Sequence, residues 1–380
     1  MMKKLFYIGV LGLLIFELAN VYCIMPMPGS QEMNSLDAAY FLYTLRWAFR
    51  IFFGLLLLVG WFKSSWPKAW QAWIPALVLG AVVYVVNFQM AADSMFYQPA
   101  TLLMKPVSEN KVDTNRLVLG IVGKQETKAY PIRFIGYHHL VMDSLDGKPI
   151  LITYCTVCRT GRVYEPIING STEIFRLVGM DHFNAMFEDR TTGSWFRQAN
   201  GEAVTGPLKG LKLPEYPSYQ TSLADWIKLY PTTKIMQADP AYLKSYDTTL
   251  NYESGKSKKK LTGTDSLSWN KKSWVVGIVV GKTSKAYDWN RLIKERIIYD
   301  VIDNKPILLV ISKNNQSFFA FERNFADENF ALQQDSLSGS NHQYLLNGRS
   351  IDSSANLKTV PAYQEFWHSW KTFHPATLQY

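Results

Sequence analysis

The chain has 380 residues, of which 48% are hydrophobic and 19% charged, so it is long enough for two or more domains with their own cores. Its net charge of +9 comes from scattered Lys and Arg residues, and the densest group, Lys256 and Lys258 to Lys260, is typical of a solvated linker. No helix-turn-helix, zinc-finger or aromatic RNA-binding motif accompanies it. We therefore expect no nucleic-acid partner.

The longest apolar runs, whose only charges are Glu17, Arg46 and Arg50, all lie in the first 92 residues. They cover about 5–24, 40–62 and 73–90, and each approaches the roughly 20 residues that a helix needs to cross a bilayer. No small-residue cleavage site follows the first run, so we expect it to be retained as a helix rather than removed as a signal peptide. The sequence therefore predicts three transmembrane helices in contact with membrane lipid.

Basic residues predict the orientation of these helices. Lys3 and Lys4 precede the first run and Lys63 and Lys68 separate the second from the third, whereas residues 24–39 contain no Lys or Arg. By the positive-inside rule the N-terminus is cytoplasmic, and everything after residue 91 lies outside. In a bacterium this means a multi-pass inner-membrane protein with a periplasmic or extracellular soluble part. Arg46 and Arg50 must then snorkel to the outer interface, or the second span is shorter.

The soluble part contains an internal duplication. Val118–Leu151 aligns without gaps on Val275–Leu308 at an offset of 157 (275 − 118), and both segments share a Lys-Ala-Tyr and a Lys-Pro-Ile-Leu motif. A second pair, PSYQTSLADWIKLYPTT from Pro217 and PAYQEFWHSWKTFHPAT from Pro361, closes each copy. These matches predict a first repeat at 115–236, a polar linker at 237–272 and a second, degenerate repeat at 273–380.

Short period-two patterns make the first repeat mainly β. We predict strands near 117–123, 149–155, 173–179, 183–188 and 194–199, and a hairpin whose Asp146-Gly147 turn joins His138–Met142 to Ile150–Tyr154. Thr191–Gly193 predicts another turn, and Ser222 with Asp225 predicts the capped start of a terminal helix. The expected fold is a helical transmembrane anchor followed by two tandem β-rich (α+β) domains.

Two segments of the first repeat carry a family resemblance: ITYCTVC at Ile152–Cys158, and FEDRTTGSWFRQANGEAVTG within Gly179–Gly206. They resemble the bacterial domain-of-unknown-function 3179 family, whose pattern has a KAYP-type strand, a His-Glu pair, a YCPLC-type motif and a G-x-A-x-x-G segment. The first repeat matches best, over about 118–236. Here His138 is followed by His139 instead of Glu, and Thr156 replaces the usual Pro. The family has no assigned reaction, so the resemblance implies a domain and no mechanism.

The second repeat serves as an internal comparison for the two cysteines. At the same offset Cys155 becomes Ser312, Cys158 becomes Asn315 and His138 becomes Glu295, while the surrounding framework is retained. We interpret Cys155 and Cys158 as a site rather than a packing detail. A C-x-x-C pair can chelate a soft metal ion or close into a disulfide, and its position in a hairpin instead of at a helix N-terminus disfavours thioredoxin-type chemistry.

Copper and zinc are the candidate metals. Zinc needs four ligands, and beyond the cysteines these would come from His138 or, more weakly, from His182 and Asp181, whereas Cu(I) needs fewer. If the Asp146-Gly147 turn sets the hairpin register, His138 faces Cys155 across two antiparallel strands, which makes it the preferred third ligand. Arg190, Trp195 and Gln198 are candidate pocket residues.

Three functions remain open from the sequence. The first is a membrane-anchored extracytoplasmic protein that binds a soft metal through its C-x-x-C hairpin. The second is a structural or partner-binding ectodomain with a Cys155–Cys158 disulfide. The third is a periplasmic enzyme of unknown reaction, for which no catalytic constellation in the sequence is specific enough to name residues.

Overall fold

A computed structural model describes residues 2–249, 251–323, 329–339, 342–352 and 355–380. The helices are α1 Met2–Tyr22, α2 Leu36–Thr44, α3 Arg46–Phe62, α4 Trp70–Tyr84, α5 Ala92–Met95, α6 Ile132–His138, α7 Leu223–Leu229, α8 Leu243–Tyr246, α9 Trp289–Glu295 and α10 Trp367–Phe373. The strands are β1 Met104–Pro106, β2 Leu117–Val122, β3 Thr127–Pro131, β4 Leu140–Leu145, β5 Lys148–Cys155, β6 Thr160–Tyr164, β7 Ile167–Ile168, β8 Ser171–Thr172, β9 Phe175–Asp181, β10 Asn184–Asp189, β11 Trp195–Arg197, β12 Ala203–Thr205, β13 Ser218–Ser222, β14 Lys234–Met236, β15 Trp274–Val280, β16 Thr283–Asp288, β17 Ile297–Ile302, β18 Lys305–Ile311, β19 Phe318–Glu322, β20 Ala331–Gln333, β21 Ser336–Ser338, β22 Gln343–Leu345, β23 Lys358–Val360, β24 Ala362–Phe366 and β25 Leu378–Gln379.

The chain divides into two compact units. The first unit comprises Met1–Tyr97, Glu173–Arg197 and Glu202–Lys212, and the second comprises Gln98–Thr172, Gln198–Gly201 and Leu213–Tyr380. The apolar helices therefore share a unit with the sheet β12-β11-β10-β9, while both predicted repeats contribute to the other unit. The soluble region is mainly β, as the sequence predicts.

The N-terminal apolar runs form helices. Met2–Tyr22 and Trp70–Gln89 are each long and apolar enough to cross a membrane, and Leu36–Thr44 with Arg46–Phe62 forms a pair bent by 60° that counts as a third only if it is one span. Residues Val85–Gln89 at the end of the second long helix adopt a π-helical turn. The structure thus supports membrane association.

Arg50 has a different environment from the one predicted. Instead of extending to an outer interface, it donates two hydrogen bonds to Glu17 of α1, with Nε–Oε1 at 2.7 Å and Nη2–Oε2 at 3.0 Å. Asn87 in the π-helical turn accepts from Arg50 at 2.7 Å and donates to Glu17 at 3.0 Å. Arg46, at the bend, donates to the Tyr43 carbonyl. Arg50 thus has a neighbouring carboxylate that neutralises it among the helices, a partner that the snorkelling expectation did not include.

The sheet of the first unit confirms three predicted strands. β9, β10 and β11 fall on the period-two segments, and Arg190–Thr192 forms the turn between β10 and β11. Asp189 stabilises this turn by accepting from the Thr192 backbone at 2.6 Å and from the Ser194 backbone at 2.7 Å.

The β4–β5 hairpin of the second unit has the predicted register. Leu140 pairs with Thr153, Asp143 with Ile150 and Leu145 with Lys148, around an Asp146-Gly147 turn in which both residues have positive φ. These dihedrals suit the tight hairpin turn that Asp-Gly favours. The predicted cap of α7 is also present, since Ser222 Oγ accepts from the Asp225 backbone at 3.1 Å.

The order of elements in β2–β3–α6–β4–β5–β6 recurs in β15–β16–α9–β17–β18–β19. The sheet order β13-β2-β3-β14 likewise matches β24-β15-β16-β25, and in each the last pair of strands is parallel. Equivalent contacts accompany these elements. The ring of Trp226 covers Gly120 as that of Trp370 covers Gly277, and Tyr130 and Tyr287 both donate to the aspartate of the following strand.

The segment predicted as a polar linker is not solvated throughout. Tyr246 and Tyr252 are only 1% and 3% exposed and pack into the apolar core formed by β2–β6 and α6. α8 and the short helical turns around it lie within this segment. The first half of the predicted linker is therefore not a solvated segment, because aromatic side chains between its Ser, Lys and Thr residues are buried in the core.

Candidate functional site

The β5–β6 hairpin holds the two cysteines at one end of a sheet. Cys155 closes β5 opposite Thr160, and Cys158 lies in the four-residue loop that follows, confirming the predicted hairpin position. Arg159 completes the loop with a left-handed φ of 57°. Both cysteines are completely buried, and they are not joined in a disulfide. The loop thus encloses two thiols within the second unit.

Lys272 places a cationic group beside these thiols. Its Nζ donates to the Val157 carbonyl at 2.7 Å and to the Leu261 carbonyl at 2.6 Å, and it lies 4.6 Å from the centre of the Phe366 ring. Burial lowers the pKa of Lys272 to about 8, although the charges of Cys158 and Cys155 act in the opposite direction. Within the described residues no carboxylate forms an ion pair with this ammonium.

Two imidazoles near the hairpin are neutral around pH 7. His368 Nε2 lies 3.2 Å from the Val157 carbonyl and 3.3 Å from Lys272 Nζ. Burial and the Lys272 charge lower the pKa of His368 to about 3. His139 Nδ1 is 2.6 Å from the Tyr154 carbonyl, and burial lowers its pKa to about 4. Neither imidazole therefore adds charge near the cysteines at pH 7, where Lys272 and Arg159 are the neighbouring cations.

His138 is not on the strand that the sequence predicts. β4 begins at Leu140, and His138 ends α6, a seven-residue helix that starts directly after Pro131. Its Nε2 lies 2.7 Å from the Tyr246 hydroxyl. The hairpin register is correct, but it does not extend to His138, because His139 takes a left-handed φ of 60° and breaks the chain direction. The cross-strand argument for His138 is therefore wrong.

Asp181 and His182 belong to the first unit, so they are not grouped with the cysteines. His182 Nδ1 lies 2.5 Å from Asp181 Oδ1, and Arg197 donates to Asp181 Oδ2 at 2.6 Å. Burial opposes the charged form of Asp181, but the bonds from His182 and Arg197 outweigh it and hold the pKa of Asp181 below its ordinary value. The hydrogen bond to Asp181 in turn raises the pKa of His182.

The three candidate pocket residues are divided between the units. Trp195, in the first unit, is fully buried, donates to Glu188 Oε2 at 2.9 Å and packs against Tyr40 and Tyr43. Arg190 is exposed at the turn. Gln198, in the second unit, donates to Thr153 Oγ1 at 3.0 Å and to the Thr160 carbonyl at 3.2 Å. Trp195 is therefore a core residue, and Gln198 forms hydrogen bonds with both strands of the hairpin that carries the cysteines.

Across the described ranges, no three His, Cys, Asp or Glu side chains form a group that could hold a metal ion. The cysteine site consequently offers two sulfur ligands and one ammonium. Two thiolates suffice for a two-coordinate soft ion such as Cu(I), whereas tetrahedral zinc needs two further donors.

Sequence reasoning missed Lys272 and His368, because the contacts that bring them to the hairpin span 115 and 211 residues respectively. One signal was available. In the alignment of the two closing segments, His368 stands where the first copy has Ala224, and Lys272 stands at the position of Asn115. The presence of Lys272 and His368 in the second predicted repeat, where the first has Asn115 and Ala224, was therefore a sequence signal for residues near the two cysteines.

Comparison with known proteins gives one result on the family. The family described as "Protein of unknown function (DUF3179)" matches residues 99–377 and so spans both sets of recurring elements. No curated protein matches the chain, and no solved structure does. Because the match covers well over half of its length, the chain belongs to the DUF3179 family.

Proposed function

We propose that this chain is a membrane-anchored extracytoplasmic protein whose second unit binds one Cu(I) ion through Cys155 and Cys158. The observation that carries the proposal is the burial of both thiols at the end of one hairpin, beside an ammonium whose hydrogen-bond acceptors are neutral carbonyls. Three membrane spans and a cytoplasmic N-terminus, inferred from the basic residues, would place this unit on the outer side.

Charge balance favours Cu(I) over the alternatives. Two thiolates and one Cu(I) carry a net charge of −1, which compensates the Lys272 ammonium, while the charge of the neighbouring Arg159 acts on the Glu253 carboxyl. Zn(II) with the same ligands, or a disulfide, leaves the positive charge of Lys272 uncompensated in a poorly solvated place. The pairing with Cu(I) is also the one that needs no third protein ligand.

His138 is not part of the proposed ligand set, because its Nε2 contacts the Tyr246 hydroxyl at the end of α6. The recurrence of elements supports a further part of the proposal, in which 115–236 and 273–380 are related repeats. In the second, Ser312 and Asn315 replace the thiols, so only the first binds metal.

The test is an anaerobic Cu(I) titration of the full chain in detergent, in competition with a chromophoric chelator. We expect one tightly bound Cu(I) per chain, lost in Cys155→Ser and in Cys158→Ser. Lys272→Met keeps the stoichiometry but lowers the affinity by about 10–100-fold, the usual effect of losing a group that supports the ligands. Cys23→Ser is the matched control, since it removes a thiol of the other unit.

Two results would contradict the proposal. One is unchanged Cu(I) affinity in both cysteine variants. The other is a Cys155–Cys158 disulfide found by peptide mass spectrometry in protein that binds no Cu(I) even after reduction, which would favour the structural ectodomain. A reporter active only in the cytoplasm, fused to the C-terminus and found functional, would contradict the proposed topology.

A further inference from the structure

The second unit also contains a cleft that Arg159 of the hairpin loop helps to line. A cleft of about 360 Å³ is bounded by the start of β2, by the segment after α8 and by β15 and β24. Its polar lining includes Arg116, Arg159, Gln220, Glu253 and Gln364, and Trp274 and Trp289 form apolar walls. This volume is at the small end of the range for ligand pockets, so it suits a small molecule.

Arg159 is a buried cation in the wall of this cleft. Its side chain is 1% exposed and stacks on Trp274, with the guanidinium carbon 3.6 Å from the ring centre. Nε donates to Gln364 Oε1 at 2.9 Å, Nη1 to the Tyr252 carbonyl at 3.1 Å and Nη2 to the Glu253 carbonyl at 2.8 Å. These acceptors are all neutral, and in the part of the chain that the structure describes no carboxylate lies within ion-pair distance of Arg159, although its charge lowers the pKa of the nearby Glu253 carboxyl.

Glu253 supplies an unsatisfied carboxyl group to the same cleft. It is 6% exposed, its Oε2 accepts from the Leu117 backbone at 3.3 Å, and Arg116 lies 3.7 Å away. Its other oxygen, Oε1, is buried and has no hydrogen-bond partner among the described residues. Burial raises the pKa of Glu253, although Arg116 acts in the opposite direction. A buried polar atom of this kind usually has a hydrogen-bond partner.

We propose that this cleft binds a small hydroxy- or amino-carboxylate. Its carboxylate accepts hydrogen bonds from the Arg159 guanidinium, and its hydroxyl or amino group pairs with Glu253 Oε1. The amides of Gln220 and Gln364 offer further polar contacts along the cleft. The pairing explains both features at once, since a buried guanidinium needs an anion and an unpaired carboxyl oxygen needs a hydrogen-bonding group.

Three dicarboxylates with the same carbon skeleton test the proposal: L-malate with a hydroxyl, L-aspartate with an amino group and succinate with neither. Binding to the full chain in detergent is measured by calorimetry and by the rise in unfolding temperature. We expect malate, aspartate or both to bind at least about tenfold more tightly than succinate. A preference for malate over aspartate, or the reverse, reports whether the Glu253 carboxyl is neutral or ionised in the complex.

Variants decide which residues carry the binding. Arg159→Gln is expected to weaken it by at least about tenfold, while Arg159→Lys, which keeps the charge but loses the fork of donors, falls between. Glu253→Gln keeps a donor and an acceptor and retains binding, whereas Glu253→Leu loses the preference over succinate. Lys228→Gln, at an exposed pair with Asp335, is the control.

Cu(I) stoichiometry, measured on each variant, shows whether the neighbouring hairpin is intact and separates this proposal from the preceding one. No binding of any of the three acids to the wild-type chain would overturn the inference. Equal affinity for all three would overturn the role of Glu253, and unchanged affinity in Arg159→Gln would overturn that of Arg159.

Discussion

The loop after β5 and the loop after β18 occupy equivalent places in the two sets of recurring elements, but they are held by different chemistry. In the second loop Ser312 Oγ donates to Asn314 Oδ1 at 2.6 Å, and Asn314 donates to Asp225 Oδ2 at 2.8 Å. In the first loop two buried thiols take the place of this polar network. Hydroxyl and amide groups therefore suffice to close such a loop, and the backbone does not require the cysteines.

The residue after each preceding helix shows the same contrast. His139 and Arg296 both have a left-handed φ, of 60° and 66°, and both direct a side-chain nitrogen at the strand that enters the loop. His139 contacts the Tyr154 carbonyl, and Arg296 donates to the Ser312 carbonyl. The copy with thiols thus has a neutral imidazole where the other copy has a guanidinium. The two sets of recurring elements therefore differ at a few positions in otherwise similar loops.

The largest expected difference concerns Glu365 and Asp225. Each is an acidic residue in one set of recurring elements that accepts hydrogen bonds from the other set. Glu365 accepts from Arg162 at 2.5 Å and from Thr160 at 3.0 Å, all three being buried. Glu365→Ala leaves that guanidinium with Glu215, 3.4 Å from its Nε, as its one remaining carboxylate among the described residues, and should cost about 3 kcal/mol. The measurement is the shift of the urea unfolding midpoint of the full chain in detergent.

The counterpart is Asp225, which accepts from Ser317 and Asn314 and has no buried arginine to compensate. Asp225→Ala should cost about 1–2 kcal/mol, the loss expected for unsatisfied neutral donors. Equal losses in the two variants would mean that the Arg162 pair adds nothing beyond ordinary hydrogen bonds.

A smaller effect should be the same in both copies. A Cβ atom on Gly120 would lie 2.2 Å from the ring of Trp226, and one on Gly277 would lie 2.1 Å from that of Trp370. We expect Gly120→Ala and Gly277→Ala each to cost about 1–3 kcal/mol through overpacking. Gly80→Ala, where nothing lies within 4 Å, is the control in the same unfolding assay. A clear difference between the first two would break the equivalence of the two frameworks.

The smallest expected effect distinguishes the short helices α6 and α9. Asp288 caps α9 by accepting from the Arg291 backbone at 2.9 Å, whereas Pro131 precedes α6 without a side-chain cap. Asp288→Ala should cost about 1 kcal/mol, and Pro131→Ala less. Thermal unfolding followed by circular dichroism measures both losses of stability. A larger loss for Pro131→Ala would show that the side-chain cap does not explain the difference between the two helices.

Local chemistry explains which parts of the fold were predictable. The register around Asp146-Gly147 followed from a turn whose geometry those two residues favour, and the cap at Ser222 followed from a side chain three positions from its partner. α6 was missed because seven residues after a proline contain too few turns to show a helical period, so His138 was assigned to the adjoining strand.

The site was predictable only in part, for a related reason. Cys155 and Cys158 are neighbours in sequence, and their hairpin could be inferred from the strands on either side. Lys272 and His368 reach them through tertiary packing, which no local pattern encodes. Glu253 lay in a segment whose polar composition concealed two buried tyrosines, so the cleft was not anticipated.

Gln220 and Gln364 occupy equivalent positions in the closing segments, and they meet through one hydrogen bond, from Gln220 Nε2 to Gln364 Oε1 at 2.7 Å. A carboxamide donates at one atom and accepts at the other, so a bond between two matched glutamines always has a direction. Here Arg159 also donates to Gln364 Oε1. The Arg159 guanidinium thereby fixes the direction of the bond between the two glutamines, and replacing it by a side chain without a donor would leave both amides able to reverse.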